Sequence, residues 1–176
     1  MSALSVLYIV LPILAVSFCH ALEVVFTARR WASHHSASSD EAHQSLVNIL
    51  FRLSGMNMSA LVIAAVVGFL AVLLSTTALF VGGLWAELVW TTVFMAYSVC
   101  ALISIVRAVT LKGYVPGLVT SIISVPLIAY AAYSLSLVWP WWGMLLFVIL
   151  GLLLALANLY FAQRIGQRQT SNSTKN

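Results

Sequence analysis

The chain has 176 residues, of which 62% are hydrophobic and only 7% charged, with a formal net charge of +4. Soluble domains carry about 25% charged residues, so this composition excludes a water-exposed globular surface and leaves lipid as the main solvent. The eight Lys and Arg fall in short tracts between apolar runs, without aromatic interleaving, which sets aside nucleic acid and makes the lipid bilayer the expected partner.

A spanning helix needs about 20 mostly apolar residues, and five stretches qualify. The first covers residues 4–26, with Pro12 inside. It has no basic leader and no small-residue cleavage pattern, so it reads as a retained span and not as a secretory signal. Next comes the longest connection, residues 27–57, which holds Arg29, Arg30, His34, His35, Asp40, Glu41, His43 and a Ser-rich tract. Ser38 and Glu41 have capping-box spacing. Beyond them Leu46, Val47, Leu50, Phe51 and Leu53 repeat with a helical period, which predicts an interfacial amphipathic helix over about 41–54, ended by Gly55. The remaining spans are predicted at 58–81, 84–106, 116–137 and 141–161. Residues 1–163 thus form a single transmembrane domain, and the polar segment 164–176 reads as a disordered cytoplasmic tail.

Arg29, Arg30 and Arg52 lie between spans one and two, Arg107 and Lys112 between three and four, and Arg164, Arg168 and Lys175 after span five. The other two connections have no basic residue. Five spans therefore place every basic residue on one side, which the positive-inside rule makes cytoplasmic. The expected fold is an all-α polytopic transmembrane bundle with its N-terminus outside and its C-terminus inside. Trp85, Trp90, Trp139, Trp141 and Trp142 are expected to form an aromatic belt at the outer interface, with Trp31 at the opposite one.

Polar groups within the spans are the first candidates for function. His20 and Glu23 stand at i and i+3 and so share a helix face. They could bind a divalent metal, relay a proton, or pair with a neighbouring charge. Arg107, at similar depth, is the expected ion-pair partner of Glu23 and would lock spans one and three together. Ser104 and Asn158 complete the candidate polar site, with Asn158 also suited to bonding between helices. Cys19 and Cys100 lie in apolar runs and read as buried small residues. The cluster of His34, His35, Asp40 and His43 reads as a solvated loop. Ala60, Ala64 and Gly68 repeat every four residues, a face for close helix packing within the bundle or in a homodimer. The run Tyr114-Val115-Pro116-Gly117-Leu118-Val119-Thr120 opens span four, with Pro116 suited to the first helical turn and Tyr114 to the interface. No nucleophile elbow, zinc-protease helix, P-loop or dinucleotide fingerprint is present.

Two of these segments carry a resemblance. His20-Ala21-Leu22-Glu23 resembles the signature of the HXXEE-domain family of small bacterial membrane proteins, in which a His, two residues and two glutamates close the first span. The run from Tyr114 to Thr120, with Lys112 just before it, is similar to that family's Tyr-Pro-Gly segment. The resemblance implies a multi-pass protein of the bacterial inner membrane. It also implies a metal site of His and Glu, here thinned to His20 and Glu23. Val24 stands in place of the second glutamate, and Ser104 falls near the place of a later His. Two ligands are one short of a catalytic zinc site.

The expected function is a non-enzymatic structural or accessory subunit with no cofactor, self-associating through span two or joined to a membrane partner. One alternative is a metal-binding protein or enzyme centred on His20 and Glu23. Another is a small carrier of an apolar or amphipathic solute, with a pocket lined by His20, Glu23, Ser104, Arg107 and Asn158.

Overall fold

The computed structural model describes the backbone of residues 3–35, 58–110 and 113–173, and the side chains of 8–28, 59–110 and 113–166. Within them the chain forms five helices and no strand: α1 (Ala3–His35), α2 (Met58–Val81), α3 (Leu84–Thr110), α4 (Leu118–Ser136) and α5 (Trp141–Ser173). Each contains a segment long and apolar enough to cross a membrane. The interfacial helix expected at 41–54, and with it Asp40, Glu41, His43, Arg52, Lys112 and Lys175, lies outside the described residues.

Glycine geometry makes one of the turns. Gly82 and Gly83, at φ +85° and +99°, reverse the chain between α2 and α3, a left-handed conformation that residues with a Cβ adopt only at a cost.

Three helices outrun their predicted spans. α1 continues to His35 and α3 to Thr110. α5 continues to Ser173, through the segment read from sequence as a disordered tail. Its first extra turn is held by packing: Ala162 is buried, and a Cβ on Gly166 would lie 3.1 Å from Ala60 of α2. An anchored helix then elongates at little cost, because the costly nucleus already exists.

α1 packs along α2 and α4, and α3 packs along α2, α4 and α5, while α5 also lies against α2. α1 therefore docks on α2 first and α4 second, and the expected pairing of spans one and three is not a main contact. At the end carrying the α2–α3 turn, Ile9, Val10 and Ile13 of α1 meet Trp90, Phe94 and Met95 of α3, Ala131 and Leu135 of α4, and Phe147 of α5. Trp90 belongs to this core. It is 5% exposed and stacks on Phe94 at 5.5 Å, so its assignment to the aromatic belt is corrected. Six residues into α3, it shares this core with Ile9, Val10 and Ile13 of α1. Trp85, Trp141 and Trp142 are exposed, and Trp139 packs edge-on against Phe147.

At the opposite end a smaller core joins Ala60 and Ala64 of α2 to Ala162 of α5. The small-residue face of α2 is thus used inside the bundle, where small side chains let two backbones close. Buried Ser and Thr serve the same purpose. Ser17, Ser98, Ser121 and Ser124 each donate to a carbonyl three or four residues earlier, which satisfies a hydroxyl without adding bulk.

Candidate functional site

Val115-Pro116-Gly117-Leu118 forms the corner before α4. Leu118 N–H donates to Val115 O at 3.0 Å, and Gly117 has φ 85° and ψ 3°. These are the angles of the third residue of a type II turn, with Pro116 at the second. Pro116 therefore precedes the helix and is not its first turn, because Gly117 at positive φ interrupts the right-handed path between them.

A helix begins with backbone N–H groups that lack intrahelical acceptors, and Gly117 has no side chain to cap them. Glu23 of α1 supplies the cap from a different helix. Its Oε2 accepts from Thr120 N–H at 2.9 Å and from the Thr120 hydroxyl at 2.6 Å. Its Oε1 accepts from Val119 N–H at 3.1 Å and from the Tyr114 hydroxyl at 2.6 Å. The carboxylate also meets the positive end of the α4 dipole. Arg107 is not among these partners. The tyrosine, threonine and helix end of the Tyr114–Thr120 run take the place assigned to it from sequence.

His20, one turn earlier on the same face, places Nδ1 3.0 Å from Thr120 Oγ1. Thr120 has one hydroxyl proton. With that proton given to Glu23, the threonine oxygen accepts from His20, so Nδ1 carries the hydrogen. The result is a relay of hydrogen bonds from His20 through Thr120 to Glu23. The imidazole also rests on Gly117, where an added Cβ would collide with Cε1 and lie 3.1 Å from each ring nitrogen. Gly117 is thus required twice, for its positive φ and for the space the ring occupies. Tyr114 lies in the connection outside the spans. Burial, and then its bond to Glu23, raise its phenol above the ordinary range.

The other face of His20 lines a cavity of about 480 Å³ enclosed by α1, α2, α3 and α5, with Pro116 at its edge. Ser104, Arg107 and Asn158 line it as well, and Glu23 does not. The structure thus brings together four of the five residues of the expected polar site and turns the fifth toward α4. Asn158 donates to Ala64 O at 2.9 Å, tying α5 to α2. The Ser104 hydroxyl donates to Cys100 O at 3.1 Å. Tyr97 also lines the cavity, with its ring perpendicular to that of His20 and the centroids 6.1 Å apart. Sequence reasoning passed over Tyr97. The signal was its spacing: Tyr97, Cys100, Ser104 and Arg107 recur every three or four residues and so make one polar stripe on α3.

Cys100 is part of this wall, whereas Cys19 is exposed toward the surroundings of the bundle, against the reading of both as buried. Among the described residues no three His, Cys, Asp or Glu come together. The two candidate ligands His20 and Glu23 are both bonded to Thr120. The side chains of His34 and His35 lie outside the described residues.

No curated protein and no solved structure matches the chain. A family model described as "Protein of unknown function with HXXEE motif" matches residues 11–132, which include both the His20–Glu23 pair and the helix end it caps. This multi-pass helical chain therefore belongs to the HXXEE family.

Proposed function

We propose that this integral membrane protein binds an amphipathic molecule dissolved in the bilayer, holding it in the cavity among α1, α2, α3 and α5. The observation that carries the reading is the cavity itself. Its volume of about 480 Å³ lies within the range of small-molecule sites, about 300–1,000 Å³. Most of its wall is aliphatic, with a few polar groups gathered from separate helices, the usual composition of such a site. The wall includes Val67, Leu152, Leu154 and Leu156, which are 38–45% exposed. The space therefore reaches the apolar outer face of the bundle, where a lipid-dissolved molecule can enter sideways.

The accessory-subunit reading loses its main support, because the small-residue face of α2 is already packed on α5. The metal reading rests on two groups whose hydrogen bonds hold α4 in place. The capped helix end is accordingly the frame of the cavity: it fixes the His20 ring, which forms one wall.

The test is photolabelling of the full chain in phosphatidylcholine nanodiscs with a hexadecanol bearing a diazirine on its chain. Saturable labelling of peptides from α3 around Cys100 and α5 around Ala155 is expected. Labelling confined to outward-facing positions such as Leu102 and Leu153, without saturation, overturns the reading.

A further inference from the structure

We infer that the occupant is a single-chain amphiphile with a hydroxyl headgroup, and that this hydroxyl donates its hydrogen to Nε2 of His20. This rests on the cavity being a ligand site and specifies the headgroup it takes. The hydrogen bonds around the imidazole decide which of its nitrogens can accept. The Thr120 hydroxyl donates its own hydrogen to Glu23 Oε2 at 2.6 Å, so Thr120 Oγ1 receives the hydrogen of His20 Nδ1 at 3.0 Å. The other acceptor beside the ring is the Gly117 carbonyl. It already receives Ser121 N–H at 3.0 Å and the Ser121 hydroxyl at 2.6 Å, which occupies both of its lone pairs. The neutral ring has a single N–H, so Nε2 is the acceptor. Thr120 stands at Nδ1 and Gly117 against Cε1, both on the α4 side. The part of the ring that lines the cavity is therefore the edge of Nε2 and Cδ2.

Other polar groups of the wall have spent hydrogens as well. The Ser17 hydroxyl donates to Leu14 O at 2.8 Å and the Ser104 hydroxyl to Cys100 O at 3.1 Å. Asn158 gives one amide hydrogen to Ala64 O and keeps its Oδ1 and one N–H. The Tyr97 hydroxyl is buried beside Ser124 of α4 and exposes no surface to the cavity. The Cys100 thiol is a weak donor only. A ligand group that solely accepts, such as an ether oxygen, leaves the imidazole nitrogen unmet in an apolar wall, whereas a hydroxyl satisfies it. The imidazole meets Tyr97, ten residues before Arg107 on α3 and so about 15 Å along the helix from it. The hydroxyl place is thus set by His20, independently of the bonds that Arg107 makes at the end of the cavity. The lining residues of α3 run from Val93 to Arg107, about 21 Å at 1.5 Å per residue, a length that holds one extended alkyl chain.

The experiment is competition for the same diazirine-hexadecanol probe on the full chain in phosphatidylcholine nanodiscs. The competitors share one chain length: hexadecanol, monopalmitoylglycerol and hexadecyl methyl ether, which accepts but has no hydrogen to donate. At least one of the two hydroxyl compounds should compete at a bilayer mole fraction about tenfold or more below that of the ether. The stronger of the two tells a fatty alcohol from a monoglyceride. His20→Phe, which keeps a ring and removes its nitrogens, should bring hexadecanol and the ether to equal competition while saturable labelling persists. Should His20→Phe fail to fold, the imidazole itself decides. In nitrogen-15 spectra of histidine-labelled chain carrying His34→Gln, His35→Gln and His43→Gln, the ring hydrogen is expected on Nδ1 alone, and hexadecanol should shift the Nε2 resonance. A hydrogen found on Nε2, or equal competition by ether and hydroxyl compounds on the native chain, overturns the headgroup assignment and leaves the cavity reading standing. Absence of saturable labelling by the probe itself brings down both.

Discussion

Each oxygen of the Glu23 carboxylate receives two donors, and all four come from the seven residues that end at Thr120. Hydrogen bonds to a charged group contribute about 1.5–3 kcal/mol each when buried, and losing a partner strands the donors that remain. Glu23→Gln keeps the shape but presents an amide NH2 to two of those donors. It should lower stability by about 2–4 kcal/mol, read from unfolding in mixed micelles. Tyr114 is 42% exposed, so Tyr114→Phe should cost less, about 1 kcal/mol. The pH dependence separates them. A phenol whose pKa is raised on folding stabilises fully below its ordinary value and loses that contribution as pH rises through the raised value. The deficit of Tyr114→Phe against the native chain should therefore shrink above about pH 10. A deficit that stays constant there would show that the phenol does not act through its proton.

The spacing of His20 and Glu23 made them visible from sequence as one face of a helix. Their partners were visible only as a distinctive run of residues. Nothing in the chain order states that position 23 meets position 120, because that contact depends on α1 lying beside α4. Charge complementarity pointed to Arg107 instead. The helix end won because it offers two backbone N–H groups that have no other acceptor, together with two hydroxyls.

Helix contacts depend on a few positions where the backbones nearly touch. At the crossing of α3 and α5, a Cβ on Gly151 would lie 2.7 Å from Ala96 N and 2.8 Å from the Met95 carbonyl carbon. These are backbone atoms that cannot step aside alone. Gly151→Ala should cost about 1–3 kcal/mol through overpacking and should widen the cavity bordered by α5. Gly117→Ala combines two penalties, the positive φ and the collision with His20, and should cost about 2–4 kcal/mol. In the double variant Gly117→Ala with His20→Ala, the steric part should be recovered and the backbone part should remain. Thermal unfolding of the four proteins as a cycle measures that coupling, and strictly additive losses would refute the contact. From sequence the Pro-Gly pair read as the entry of span four, with Pro116 in its first turn. That this entry is a type II turn placed under an imidazole was decided by the docking of α1.

Across the whole molecule, the distribution of Lys and Arg predicts that the end of the bundle where α4 begins faces the cytoplasm. Alkaline phosphatase fused after Asn176 should be inactive in intact cells, and a cysteine placed at Gly83 or Trp139 should react with an impermeant maleimide added outside. The reverse pattern would invert the bundle and put the Arg107 end of the cavity in the other leaflet. The five spans among the described residues and their apolar character were written in the sequence itself. Hydropathy and span length are properties of consecutive residues, and a bilayer reads them one segment at a time. The neighbours of each helix, the cap that Glu23 places on α4, the burial of Trp90 and the cavity among four helices came only with tertiary structure. They depend on which faces meet across the bundle, and in a chain apolar on nearly every side, polarity alone cannot choose the face.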